Sequence, residues 1–144
     1  MKPLTFALLP TTVATTAVGT NGGCLGWGGL GGVAVALDTY QNWNASWSAP
    51  IDPSNNFVGI ATSANTSNQN LVWAATSTAV PTLRNTTRHV KITTAAGHLK
   101  VSIDGTSYLD TTTTLPATAR LAYTAATGGN YDRHAISNIT ITAA

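Results

Sequence analysis

The run Val33-Ala34-Val35-Ala36-Leu37 is apolar throughout and stops on Asp38-Thr39-Tyr40-Gln41-Asn42. A short apolar run of this kind, without polar alternation, reads as a central β-strand buried on both faces. It ends on an acid, an aromatic ring and an amide. A second segment, Asp52-Pro53-Ser54-Asn55, reads as a turn that leads into another apolar strand at Phe57-Val58-Gly59-Ile60. The two segments together place two carboxylates, an amide and an aromatic face at one rim of a sheet. Oxygen ligands beside an aromatic face suit a calcium ion and a sugar ring.

The rest of the chain extends the β pattern. Leu4–Leu9, Leu71–Thr76, Arg88–Thr94, Leu99–Ile103, Thr106–Thr111, Ala119–Thr124 and Ala135–Thr142 all read as strands. Ala96-Gly97 marks a turn, and Asp104-Gly105 is a strong two-residue hairpin signal. No segment shows helical periodicity. Short strands at regular spacing predict an all-β, antiparallel sandwich occupying residues 1–144 as one domain. Asn21–Gly32 is a glycine-rich loop that carries Cys24, Leu25, Trp27 and Leu30, so it is expected to pack rather than to act as a linker. Trp27 and Trp73 are expected in the core.

Composition narrows the function. Seven Lys and Arg face five Asp, the net charge is +2, and there is no glutamate. The bases are scattered, which argues against nucleic acid as a partner. Low charge with abundant hydroxyls fits an extracellular or cell-surface β-domain. Cys24 stands alone, so no internal disulfide forms, and a buried, inert thiol is expected. The apolar run Leu4–Leu9 is interrupted by Pro10-Thr11-Thr12 and is shorter than a secretory core of about 7–15 apolar residues. It is read as a strand of the folded domain. No run approaches membrane-span length, so no membrane insertion is expected.

Four segments, taken in order, resemble the legume-type (L-type) lectins of the concanavalin A-like lectin and glucanase superfamily, in a bacterial-type member. Leu4-Thr5-Phe6-Ala7-Leu8-Leu9 resembles the strand that follows the family's Ala-Asp-Gly loop. Gly22-Gly23-Cys24-Leu25-Gly26 resembles its Gly-Gly-x-Leu-Gly loop. Val33–Asn42 with Asp52-Pro53 resembles its metal-binding segment. Tyr123–Gly128 and His134–Ile139 resemble its final loop and strand. The resemblance implies a jelly-roll sandwich with sugar bound in loops above one sheet. It implies that Asp38, Asp52, Asn42 and the carbonyl of Tyr40 hold calcium. It implies that Tyr40, Asn42, the backbone at Gly22 or Gly23, and the Gly129–Asn130 loop contact a glycan or polysaccharide.

The chain departs from that pattern at defined places. Ala36 and Phe57 stand where the family has its transition-metal Glu and His, so no transition metal is expected and any calcium should bind weakly. The loop from Asn42 to Asp52 is longer than usual. Lys2 and Pro3 stand where the sugar-binding Asp belongs. The domain is therefore expected to lack its first strands, which would leave a sheet edge open to self-association.

Plainer readings stand beside these. Asp38, Asn42 and Asp52 are also ordinary strand-end and turn residues. Trp43 and Trp47, proposed as a platform for sugar C–H faces, also suit the role of covers for the sandwich end. His89, His98 and His134 have no metal-ligand spacing. Two functions therefore remain: a non-catalytic carbohydrate-binding module, or a structural or adhesin spacer that has lost sugar binding. A glucanase is disfavoured because its paired acids have no counterpart around Asp38.

Overall fold

The computed structural model describes residues 3–44, 50–63 and 71–143. Their strands are β1 (Leu4–Pro10), β2 (Val33–Asp38), β3 (Phe57–Ser63), β4 (Leu71–Ser77), β5 (Val90–Ala95), β6 (His98–Ile103), β7 (Thr106–Thr112) and β8 (Ala119–Ala125). They form a five-stranded sheet in the order β4-β3-β2-β1-β8 and a three-stranded sheet in the order β5-β6-β7. All the pairings are antiparallel. The chain is an all-β sandwich. The only helical element among the described residues is a 3-10 turn at Gly22–Cys24.

The unbroken apolar run places β2 at the centre of the larger sheet, and both of its faces are covered. On one face Val33, Val35, Val58 and Ile60 meet Leu99, Val101 and Ile103 of β6 and Leu109 of β7. On the other face Ala7, Ala34, Ala36 and Ala61 are small, and Cys24, Leu25 and Trp27 of the glycine-rich loop lie over them. Trp27 is fully buried, and its indole N–H donates to the Gly31 carbonyl at 2.9 Å. At about 150–250 Å² per buried aromatic ring and about 25 cal/mol per Å², this side chain contributes roughly 4–6 kcal/mol to holding the loop on the sheet. Burial also pushes the Cys24 thiol above its usual pKa, as expected of an inert cysteine.

The smaller sheet is built by local turn chemistry. Asp104 and Gly105 have φ of 51° and 85°, the pair of positive values that a tight hairpin turn with the right twist requires. The Asp104 carboxylate also accepts from the His89 N–H and the Arg88 guanidinium, both at 2.9 Å, and ties the segment entering β5 to the turn between β6 and β7.

One expected strand does not form. Residues 135–142, expected as a strand, pair with nothing among the described residues, and Ile136, Ile139 and Ile141 are exposed. A strand requires a neighbour for its N–H and C=O groups. Among the described residues β8, the edge of the larger sheet, pairs only with β1. Its Leu121 and Tyr123 share the face of Val33 and Val35 yet remain partly exposed, and the Tyr123 ring leans on Phe6 with centroids 5.5 Å apart. No helix among the described residues is long and apolar enough to cross a membrane.

Candidate functional site

Strand register gathers the segments singled out above at one rim. Leu4 of β1 pairs with Leu37 of β2 and with Ala125 of β8, and Asp38 pairs with Phe57 of β3. The end of β2, the approach to β3 and the exit from β8 are therefore neighbours.

Asp38 and Asp52 are both 2% exposed. Asp38 ends β2 and accepts the Tyr40 N–H at 2.9 Å, an Asx-type contact that turns the chain out of the sheet. Asp52 clamps the segment that follows. Its Oδ2 accepts the Asn42 N–H at 2.8 Å, and its own N–H donates to the Asn42 carbonyl at 3.0 Å. The Gln41 side-chain amide donates to the Asp52 carbonyl at 3.2 Å. From β4, the Trp73 indole N–H donates to Asp52 Oδ1 at 3.1 Å. Asp38 with Tyr40, and Asp52 with Gln41, Asn42 and Trp73, thus form two hydrogen-bonded groups at the end of β2.

Among the described residues, neither acid has a basic side chain as a hydrogen-bond or ion-pair partner. Burial, aided by the charge of Asp52, pushes the Asp38 carboxyl up to about 7, against the Tyr40 and Thr39 N–H groups that favour its ionised form. Burial likewise pushes Asp52 up to about 6, against its bonds from Asn42 and Trp73. Two carboxyls held in this way favour either a proton or a cation.

The rings beside this cluster face outward. Tyr40 is 40% exposed and Trp43 71%. Trp47 lies outside the described residues. The glycine-rich loop reaches the same rim, because Thr124 donates to the Leu25 carbonyl at 2.9 Å and a methyl on Gly26 would sit 3.0 Å from the Ala125 carbonyl. Gly22 and Gly23 form its 3-10 turn, and Gly22 has open space around it. Gly129 and Asn130 are exposed in the loop after β8. That loop is tied to the end of β2 by Asp132, whose Oδ2 accepts from Thr39 at 3.3 Å and from Arg84 at 2.8 Å.

Three contributors were not legible as site residues. Trp73 was assigned to the core, yet it is only partly buried and orients Asp52. It does also pack edge-on to Phe57, with centroids 5.2 Å apart. Asp132 lies in the loop after β8, 93 residues from Thr39. Gln41 lay inside the quoted segment without a role. No local pattern marks any of these contacts, which depend on pairings 11 to 93 residues apart in the chain. No group of three or more His, Cys, Asp or Glu residues gathers among the described residues.

No protein family, curated protein or solved structure matches this chain.

Proposed function

We propose that this domain is a non-catalytic carbohydrate-binding module of the L-type lectin kind, a jelly-roll sandwich whose sugar-contacting rim is organised by calcium. The observation that carries the reading is the burial of Asp38 and Asp52 with no basic side chain bonded to them among the described residues, beside the exposed Tyr40 and Trp43. Calcium takes six to eight oxygens and no nitrogen or sulfur. The residues present fit it. The carboxylates of Asp38 and Asp52, the side-chain carbonyl of Asn42 and the main-chain carbonyl of Tyr40 would hold it, and bound calcium would offset the charge of both carboxylates. Each carboxylate oxygen has two lone pairs, so the bonds from Tyr40, Asn42 and Trp73 leave acceptor capacity. A transition metal does not fit. Ala36 and Phe57 are wholly buried and apolar where such a site would need a carboxylate and an imidazole.

Glycan contact would use Tyr40, Asn42, the backbone of Gly22 and Gly23, and the Gly129–Asn130 loop, with Trp43 or Trp47 offering a flat apolar face to sugar C–H groups. The module would act outside the cell or on its surface. It is read as non-catalytic because the chain has no glutamate and both buried acids are committed to backbone amides. A spacer or adhesin role is the second reading. It is favoured by Pro3, which is buried just before β1 and offers no side-chain acceptor for sugar hydroxyls.

The test is thermal melting of the purified chain with calcium and with chelator, followed by glycan-array binding in both states. Calcium should raise the melting temperature, as a ligand of the folded state does. Asp38→Ala should abolish the rise, and glycan binding should follow calcium. A calcium response with no binding to any glycan would leave the spacer reading. Stoichiometric manganese in the purified protein would overturn the metal assignment.

A further inference from the structure

On the face of the larger sheet that the glycine-rich loop covers, Thr124, Thr5, Ala36 and Gly59 form one cross-strand row through β8, β1, β2 and β3. The two threonines differ. Thr124 is satisfied by the Leu25 carbonyl at 2.9 Å. Thr5 is fully buried, and its hydroxyl has no hydrogen-bond partner among the described residues. Such a group costs stability in a folded chain unless something bonds to it.

Its position indicates what that is. Side chains alternate along a strand, so Asp38 shares a face with Ala36, the residue paired with Thr5. Thr5 and Asp38 are therefore diagonal cross-strand neighbours, a relation that places such residues about 7–8 Å apart. For two short side chains that separation is too long for a direct bond and suits one bridging water. Ala36, paired with Thr5 and two residues before Asp38, contributes only a methyl group to this face. A buried water needs two to four polar partners, and the Thr5 hydroxyl, the Asp38 carboxylate and a bound cation supply them.

We infer that Thr5 is a positioning residue of the cation site: its hydroxyl holds a buried water that also bonds Asp38 and completes the oxygen shell of the ion. The inference rests on the calcium reading above and extends it to a residue outside the rim segments. A purely structural Thr5 would behave differently on substitution.

The experiment compares the full chain with Thr5→Val and Thr5→Ser, by thermal melting in chelator and by calorimetric titration with calcium chloride. Valine keeps the shape and removes the hydroxyl. In chelator, Thr5→Val should melt at or above the wild-type temperature, because an unmet buried polar group has been removed. Its calcium affinity should fall about tenfold. Thr5→Ser should keep calcium affinity within about twofold of wild type. If Thr5→Val binds calcium as tightly as wild type, or melts lower in chelator with its calcium affinity unchanged, the inference is wrong and the calcium site stands without it. If the wild-type chain shows no calcium response, the calcium reading itself fails and the inference falls with it.

Discussion

The indole N–H of Trp73, on edge strand β4, donates a 3.1 Å hydrogen bond to Oδ1 of the buried Asp52 carboxylate. The same ring stands nearly perpendicular to Phe57, at 86°. One side chain thus joins the sheet to the loop that carries the second acid. Trp73→Phe keeps an aromatic ring and removes the donor. Loss of a bond to a buried charged group should cost about 1–3 kcal/mol. Urea unfolding in chelator should show the larger loss at pH 8, where Asp52 is ionised, and a smaller one at pH 5, where it carries a proton.

The pH dependence of the metal-free chain follows from the two raised carboxyls. Folded values of about 7 for Asp38 and about 6 for Asp52 exceed the ordinary 3.8, so between about pH 4 and 7 the folded state holds more protons than the unfolded one. Stability must then fall as pH rises through that window. At about 1.4 kcal/mol for each tenfold change in proton affinity, Asp38 accounts for up to about 4 kcal/mol. Asp104 and Asp110 act in the opposite sense. The His89 N–H with Arg88, and His98 with Lys100, hold them below the usual range, so their contribution is lost only below about pH 4. Melting temperature in chelator should therefore peak near pH 4–5 and decline toward pH 8. Saturating calcium should flatten the decline, and so should Asp38→Asn in chelator.

Gly59 has no side chain because Trp73 occupies the space. A methyl there would lie 2.6 Å from the indole ring. Gly59→Ala should displace Trp73, weaken its bond to Asp52 and destabilise the fold by about 1–3 kcal/mol. A double-mutant cycle with Trp73→Ala should show coupling of at least about 0.5 kcal/mol. Strict additivity in chemical denaturation would mean that the ring yields without cost.

Among the described residues β8 is an edge without the usual protection. Its pairing with β1 runs without a bulge, and its one charge, Arg120, is bonded to the Val13 carbonyl. Lysines, prolines and bulges are what blunt such edges elsewhere. With a net charge of only +2, little repulsion opposes association. We expect concentration-dependent self-association in light scattering behind size exclusion, suppressed by Leu121→Lys with Tyr123→Lys. A monomer at all concentrations, or association that survives both lysines, would rule out this edge.

Much of the sheet was readable from the chain because its signals are local. Valine-rich and alternating runs marked β1 to β8, and Ala96-Gly97 and Asp104-Gly105 marked the hairpins through a backbone preference carried by the turn residues themselves. The apolar residues of the glycine-rich loop predicted that it packs, and Trp27 shows why. The acid at the end of β2 and the acid before β3 were likewise visible, since each lies at a strand boundary.

What only the tertiary structure decided are the contacts between segments far apart in sequence. Residues 139–142 alternate apolar and polar as a strand does, yet alternation cannot supply a partner, and the segment 135–142 pairs with nothing among the described residues. Whether Asp38 and Asp52 are solvated turn acids or buried ones depends on what packs over them. So does the bond from Trp73, which is 21 residues from Asp52, and the tie from Asp132 to Thr39 across 93 residues. Periodicity records which way a side chain faces. It does not record what it meets there, and a carboxylate's proton affinity is set by that meeting.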